Sequence, residues 1–345
     1  MKKVFLTIND EGYSRSWTYF AGLKKLNEDV YFVKLSPSHL IKDFLSLRSK
    51  FSRECIFVVM SPSHYLTFFT RVFLGKKIIL DAGWSLTEAS LISRRSFGLF
   101  GINVIKLYLI DFISCHIAKN IILESEQQRK FYTKIFFISR RKTSFIYTGV
   151  DEMQYFSSNK FKSPPDYFNN SKIVLFRGKY SREAGLEVLA EATLLLKDES
   201  ITFWIFCPGL KNKLHFSSNC FISTEYIPSK KIIFELLLAS SISLGQLSNH
   251  SRLNRTIPHK AFEAAYASKP YLTSRSSGIK ELFIEGSEIE CFEPGDAFDL
   301  ANKIKFLLHD TEKLSQISFN MNQKYNIKCS QDKLTDEFLK IFNIF

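Results

Sequence analysis

The run KIVLFRGKYSREAGLEVLAEA, residues 172–192, decides the fold. Lys172 to Arg177 is a short apolar run of strand length, followed by a turn holding Gly178 and Gly185. A helical pattern near Ser181–Leu196, rich in Leu, Ala and Glu, comes next. Strand, glycine-containing turn and helix in that order open a βαβ unit.

The same rhythm extends in both directions. Downstream it predicts strand Ile201–Phe206, helix Lys230–Ala239, strand Ile242–Gly245, helix Pro258–Ala267 and strand Tyr271–Thr273, then a long helical region from about Asp296. Upstream it predicts strands Val4–Ile8, Val30–Leu35, Ile56–Met60, Lys77–Asp81, Ile121–Leu123 and Phe145–Tyr147. Ser61-Pro62 is expected to start a helix that Gly75 closes, and Ser125 to Gln128 reads as a capping box. Residues 151–170 break the rhythm with Pro164-Pro165 and many polar side chains, which marks an interdomain linker. The expected organisation is α/β, with two Rossmann-like doubly wound domains facing across a cleft. The first spans 1–152, a linker 153–170, and the second 171–324, with a helix at about 325–345 packing back on the first. Ligands are expected at the carboxyl ends of the strands.

Composition agrees with that size. A chain of 345 residues suits two domains of roughly 150 residues each. At 45% hydrophobic and 23% charged, it has ample apolar surface to offset the entropy of ordering, which excludes a disordered or fibrous chain. Thirty-four Phe predict bulky cores, or an apolar face that meets something other than water. Six scattered Cys, with no CxxC, read as reduced cysteines of a cytoplasmic protein rather than a disulfide framework or a zinc site. The opening MKKVFLTIND loses its apolar run at Ile8, so it is expected to be a first strand and not a signal peptide. The most apolar stretch, Phe97 to Ala118, is interrupted by Lys106 and Asp111 and does not read as a membrane span.

Charge is uneven. Residues 1–165 hold 25 Lys+Arg against 13 Asp+Glu, a balance of +12, whereas 166–345 hold 22 against 21. The bland explanation is a solvated lysine-rich surface. The alternative is an anionic partner for the first half, either a bilayer surface or nucleic acid. The bilayer reading rests on cations beside Phe and Leu, as in Arg71 to Lys77 and around Arg94-Arg95. No nucleic-acid-binding motif appears, so nucleic acid is not expected as a partner.

Three loops carry chemistry. The first, Asn9 to Trp17, contains Gly12 where a strand becomes a helix, which permits close backbone approach to a ligand. The second, Arg177 to Gly185, gathers Arg177, Lys179 and Arg182 around two glycines at a helix start, an arrangement that holds an anion. The third, LNRTIPHKAFEAAYASKP at 253–270, surrounds another helix start with Asn254, Arg255, Thr256 and Lys260. Pro258 fits a first-turn position. Lys260 and Glu263 stand three apart on one face, a cation with a carboxylate one turn deeper. His116, in FISCHIAK, reads as a core residue, with an acceptor-side role as the alternative.

From Lys172 to about Leu308 the order of landmarks resembles a GT-B glycosyltransferase of the family 4 (group 1) kind. They are KIVLFRGKYSREAGLEVLAEA, ITFWIFCPG, TIPHKAFEAAYASKP, SGIKEL and EPGDAFDLANKI. GKKIILDAGWS and TSFIYTGVDE extend the resemblance into the first half. It implies transfer of a sugar from a nucleotide-sugar with retention and without a metal or other cofactor. The second domain would hold the donor and the first a glycan or lipid-linked acceptor, as in bacterial surface polysaccharide or lipopolysaccharide synthesis. The implied place is the cytoplasm or the inner face of the cytoplasmic membrane.

By the resemblance, Glu263 matches the second acid of the E-x7-E motif, which bonds ribose hydroxyls, and Lys179 the diphosphate-binding Arg of the glycine turn. Lys179, Arg255 and Glu263 are thus the catalytic candidates. Gly12, Arg177, Gly178, Arg182, Asn254, Thr256, Lys260 and Glu263 are the donor-binding candidates. Two positions depart from the pattern. Arg255 stands where the first acid of the motif is usual, and Ala184 where a Lys precedes the second glycine of the turn. Arg177, Arg182, Arg255 or Lys260 could supply the missing cation. The first departure raises a rival, a non-catalytic sugar-nucleotide or glycan-binding partner of another transferase. A nicotinamide-dependent oxidoreductase would need a glycine fingerprint that the chain lacks.

Overall fold

The alternation of apolar runs and helices builds two parallel sheets. The computed structural model describes residues 1–90, 102–155, 172–210, 214–227 and 229–343. Arg94-Arg95 and Pro164-Pro165 lie outside the described residues. The chain divides into two units, Met1–Asp151 with Ser330–Phe345, and Glu152–Cys329.

The first unit runs β1 (Lys3–Thr7), α1 (Ser16–Lys25), β2 (Val30–Lys34), α2 (Leu40–Lys50), β3 (Ile56–Met60), α3 (Leu66–Phe73), β4 (Ile78–Gly83), α4 (Leu86–Glu88), α5 (Ile102–Ile117), β5 (Asn120–Leu123), α6 (Glu126–Ile135) and β6 (Thr143–Phe145). Its sheet is parallel throughout, in the order β2-β1-β3-β4-β5-β6. β1, β3, β4 and β5 are buried along their whole length, as expected for strands covered by helices on both faces.

One face packs under α2, α3 and α5, through Phe44, Leu47, Leu66 and Cys115. The other packs Phe5 and Met60 against Tyr19 and Phe20 of α1, and there the chain returns after the second unit. The returning helix presents Leu334, Phe338 and Phe342 to this core. Tyr19 and Phe338 stack with centroids 4.4 Å apart. Gly22 of α1 lies against Thr335, where a side chain would have no room.

The second unit runs α7 (Glu152–Tyr155), β7 (Lys172–Arg177), α8 (Leu186–Leu195), β8 (Ile201–Phe206), β9 (Cys220–Ser223), α9 (Lys230–Ala239), β10 (Ile242–Leu244), α10 (His259–Tyr266), β11 (Tyr271–Ser274), β12 (Glu290–Phe292), α11 (Ala297–His309) and α12 (Thr311–Lys328). The returning helix of the first unit is α13 (Gln331–Phe342). The second sheet, also parallel, has the order β12-β11-β10-β7-β8-β9. Counted from β7 this is the 3-2-1-4-5-6 order of Rossmann folds, so its topological switch point falls between β7 and β10.

Several local expectations change. The Ser61–Pro62 peptide is cis, and the helix begins only at Leu66. The last strand of the first sheet is Thr143–Phe145, two residues earlier than its apolar run suggests. His116 is not a core residue: it is exposed near the end of α5, its Nε2 lies 3.0 Å from the Phe136 carbonyl, and its ring packs on Phe112. The buried histidine is His64, after β3. Its Nδ1 lies 2.8 Å from Asp111 of α5, and its Nε2 faces the Ala82 carbonyl. Burial pushes the Asp111 carboxyl up. The hydrogen bond and charge of His64, with the Thr87 N–H and the Ser85 hydroxyl, outweigh that and hold it below the usual carboxylate range. This network fixes α5 to the carboxyl ends of β3 and β4. Ser125 caps α6 by accepting from the Gln128 N–H at 3.0 Å.

Candidate functional site

The second and third sequence loops meet at the switch point of the second sheet. Arg177, the last residue of β7, forms an ion pair with Glu263 on α10, 86 positions away in the chain. Glu263 is 1% exposed, and its other oxygen accepts the Tyr155 hydroxyl at 2.6 Å, with His259 Nδ1 3.2 Å away. Such burial of a carboxylate is tolerable only with this density of donors and positive charge.

Lys260 does not pair with Glu263. Its ammonium donates to the Gly245 carbonyl at 2.8 Å and to Gln246 Oε1 at 3.3 Å, and lies 4.4 Å from the centre of the Phe176 ring. Gly178 lies beside that ammonium, which would be 3.6 Å from a Cβ at this position, an ordinary van der Waals contact. Burial, reinforced by the nearby Arg177 guanidinium, pulls Lys260 from its ordinary 10.5 down to about 7. Two cations and a carboxylate thus converge where β7 and β10 end.

Around this floor, Gly185 caps α8 in the left-handed region, φ 66°. A Cβ there would lie 2.6 Å from the Ser248 nitrogen and 2.8 Å from the Leu247 carbonyl carbon. Ala184 is buried, and its carbonyl accepts the Leu247 N–H at 3.2 Å. The position where the resemblance implies a lysine is therefore packed against the loop after β10. Glu183 of the same turn holds Arg252 at 3.1 Å. Gly185→Ala is expected to destabilise the second unit by about 2–4 kcal/mol, from left-handed strain and backbone overlap together. A thermal melt showing an unchanged transition would refute this.

The other candidates take distinct places. Lys179 and Arg182 are exposed in the turn before α8, with no ion pair among the described residues. Asn254, exposed, accepts from the Ser277 hydroxyl at 3.3 Å. Arg255 is half-buried after a short turn at Ser251–Asn254, and its N–H donates to the Arg252 carbonyl. The Thr256 hydroxyl is buried with no hydrogen-bond partner among the described residues. Pro258 is the residue before the first turn of α10 rather than within it. Gly12, φ 75°, belongs to the first unit, in the turn between β1 and α1. Tyr155 is the functional neighbour that sequence reasoning missed, since it sits in a stretch read as linker.

Among the described residues no group of three or more His, Cys, Asp or Glu side chains is placed to hold a metal ion. No described helix is long and apolar enough to cross a membrane.

Comparison with known proteins places this geometry. Residues 158–324 match the family model described as glycosyl transferases group 1. No curated protein matches the chain by sequence. Among solved structures, HepE of Anabaena in complex with UDP-glucose superposes with a TM-score of 0.72 at 14% identity, over 100% of both chains. A glycosyltransferase from Rickettsia africae reaches 0.67 at 14% identity, over 99% of this chain and 98% of that one. Sucrose-phosphate synthase from Thermosynechococcus elongatus reaches 0.70 at 10% identity, over 99% and 98%. At these identities the structures speak to the fold, and the family match covers Arg177, Lys260 and Glu263 together. The chain is a two-unit protein of the GT-B fold, and its residues 158–324 are similar to the group 1 glycosyl transferases.

Proposed function

We propose that this protein transfers a sugar from a nucleotide-sugar to a glycan or lipid-linked acceptor, with retention at the anomeric carbon and without a metal. The observation that carries the reading is the convergence of Arg177, Lys260 and Glu263 at the switch point of the second sheet. Lys260, beside Gly178, supplies a cation that the buried Ala184 does not, and exposed Lys179 and Arg182 add two more at the turn.

In the reaction, the bond between the anomeric carbon and the diphosphate oxygen breaks, and negative charge grows on the diphosphate. Preorganised cations and backbone N–H groups stabilise that charge, each such donor contributing about 3–4 kcal/mol in well-studied sites. The acceptor hydroxyl bonds to the same carbon from the same face, and its proton passes to the departing diphosphate oxygen. Glu263 orients the donor from one turn down α10, and Tyr155 and Arg177 hold the Glu263 carboxylate in place. HepE was solved with UDP-glucose, which makes a UDP-sugar the first donor to try. The expected setting is bacterial surface polysaccharide or lipopolysaccharide assembly, in the cytoplasm against the inner face of the cytoplasmic membrane. The basic first unit would lie toward the anionic lipids.

The test is nucleotide release from UDP-, GDP- and dTDP-sugars, with Lys179→Ala and Glu263→Ala as controls and a chelator added. One donor should turn over, the chelator should change nothing, and both variants should lose at least tenfold in kcat/KM. Arg255 in place of the first acid favours one rival, a non-catalytic donor-binding partner of another transferase. Tight nucleotide-sugar binding with no release on any acceptor would establish that rival instead.

A further inference from the structure

We propose that the outer face of α2, α3 and α5 is the surface by which the first unit docks on an anionic bilayer. The proposal rests on the peripheral, lipid-facing setting inferred above and names the residues that would create it.

The three helices lie side by side over one face of the first sheet, α2 against α3 and α3 against α5. Their inner sides fill the core with Phe44, Leu66, Phe69 and Phe112. A surface helix normally turns polar residues outward. Here the outward ridges are apolar again. On α2 they are Ile41 and Leu45, on α3 Phe68 and Val72, and on α5 Ile105, Leu109 and Ile113. Each set is spaced by four, so each forms one stripe along its helix. All seven are between 44% and 60% exposed. An exposed apolar area shared by three neighbouring helices marks an interaction surface rather than scattered surface hydrophobes.

Charge selects the partner. The exposed ionic side chains of these helices are Lys42, Arg48, Lys50, Arg71 and Lys106, all positive. The two acids on them are turned to other uses: half-buried Asp43 accepts the Ser36 N–H at 2.9 Å, and buried Asp111 holds His64. A second copy of the same face would bring like charges together around its apolar stripes. An anionic headgroup layer accepts the cations while its acyl boundary accepts Phe68, Val72 and Leu109. The His64–Asp111 lock adds rigidity, because it fixes α5 to the sheet and so holds the stripe in register with α3.

Flotation of the full chain tests this, with vesicles of phosphatidylcholine alone and of phosphatidylcholine with phosphatidylglycerol, at low and high salt. Binding should require the anionic lipid and weaken with salt. Phe68→Glu with Leu109→Glu should abolish it. Lys42→Gln with Arg71→Gln should weaken it by about fivefold for each cation removed. Nucleotide-sugar binding, followed by calorimetry, should be the same in all variants, since none of these residues lies in the second unit. Absence of binding to anionic vesicles, or binding that survives the Phe68→Glu and Leu109→Glu pair, overturns the docking face. A dimer by light scattering that the same pair dissolves, with no vesicle binding, would assign the face to a second copy. Loss of nucleotide-sugar binding in the unaltered protein would instead strike the functional reading and leave the vesicle result to stand or fall alone.

Discussion

Replacing Glu263 by alanine is expected to lower the stability of the second unit by about 3–5 kcal/mol, the cost of breaking a buried ion pair from one side. Arg177 then keeps its charge with 18% of its side chain exposed and no carboxylate beside it, and the buried Tyr155 hydroxyl loses its acceptor. For a unit of this size that corresponds to a fall of about 10 °C in melting temperature. Donor turnover should fall below detection. Removing both charges, as in Arg177→Met with Glu263→Leu, should restore most of the stability, because neither a stranded ion nor its desolvation remains. It should not restore turnover. That split between stability and activity separates a structural ion pair from one that also serves the donor. Restored turnover in the double variant would remove both residues from the mechanism. Tyr155→Phe leaves the pair intact, and is expected to raise KM more than it lowers kcat, since it only loosens the orientation of Glu263.

The sequence makes the inner parts of this fold legible and the edges much less so. β7 and β8 announce themselves because both faces are covered, which leaves an unbroken run of four apolar residues in β7 and five apolar residues of six in β8. The unread strands, β9 at Cys220–Ser223 and β12 at Glu290–Phe292, are the two edges of the second sheet, only four and three residues long. β6, misplaced by two residues, is likewise an edge. Short strands paired on one side need little apolar length, so pattern reading passes over them.

The site shows a similar limit. Spacing correctly puts Lys260 and Glu263 near one helix start, but their partners lie across the sheet. Arg177 reaches Glu263 and the Gly245 carbonyl takes Lys260, and no local period encodes either contact. Tyr155 carries no signal at all, because its importance comes only from where α7 seats it. The thirty-four Phe, by contrast, point to an apolar surface as well as a core, and Phe68 on the outer side of α3 is one of them.

Lys260 should make both stability and donor binding depend on pH. The folded protein holds this lysine at about 7, whereas the unfolded chain keeps the ordinary 10.5. Between those values the unfolded state binds one proton more, so stability rises with pH across that window. The cost of burying the ammonium is fully present below about pH 7. Lys260→Met should therefore raise the melting temperature of the second unit near about pH 6 and have much less effect near about pH 9. A bound diphosphate reverses the local field. Its negative charge favours the protonated lysine, so binding above about pH 7 must take up a proton, and affinity should fall by up to about tenfold per pH unit. UDP-glucose is the appropriate probe because its diphosphate does not titrate in that range. Calorimetry in two buffers of different ionisation enthalpy should detect the uptake. Lys260→Arg, which keeps its charge throughout, should bind with no uptake and a flat pH profile. Lys260→Met should also be flat, but at least tenfold weaker. Proton uptake that persists in both variants would assign the titration to another group and take Lys260 out of contact with the diphosphate.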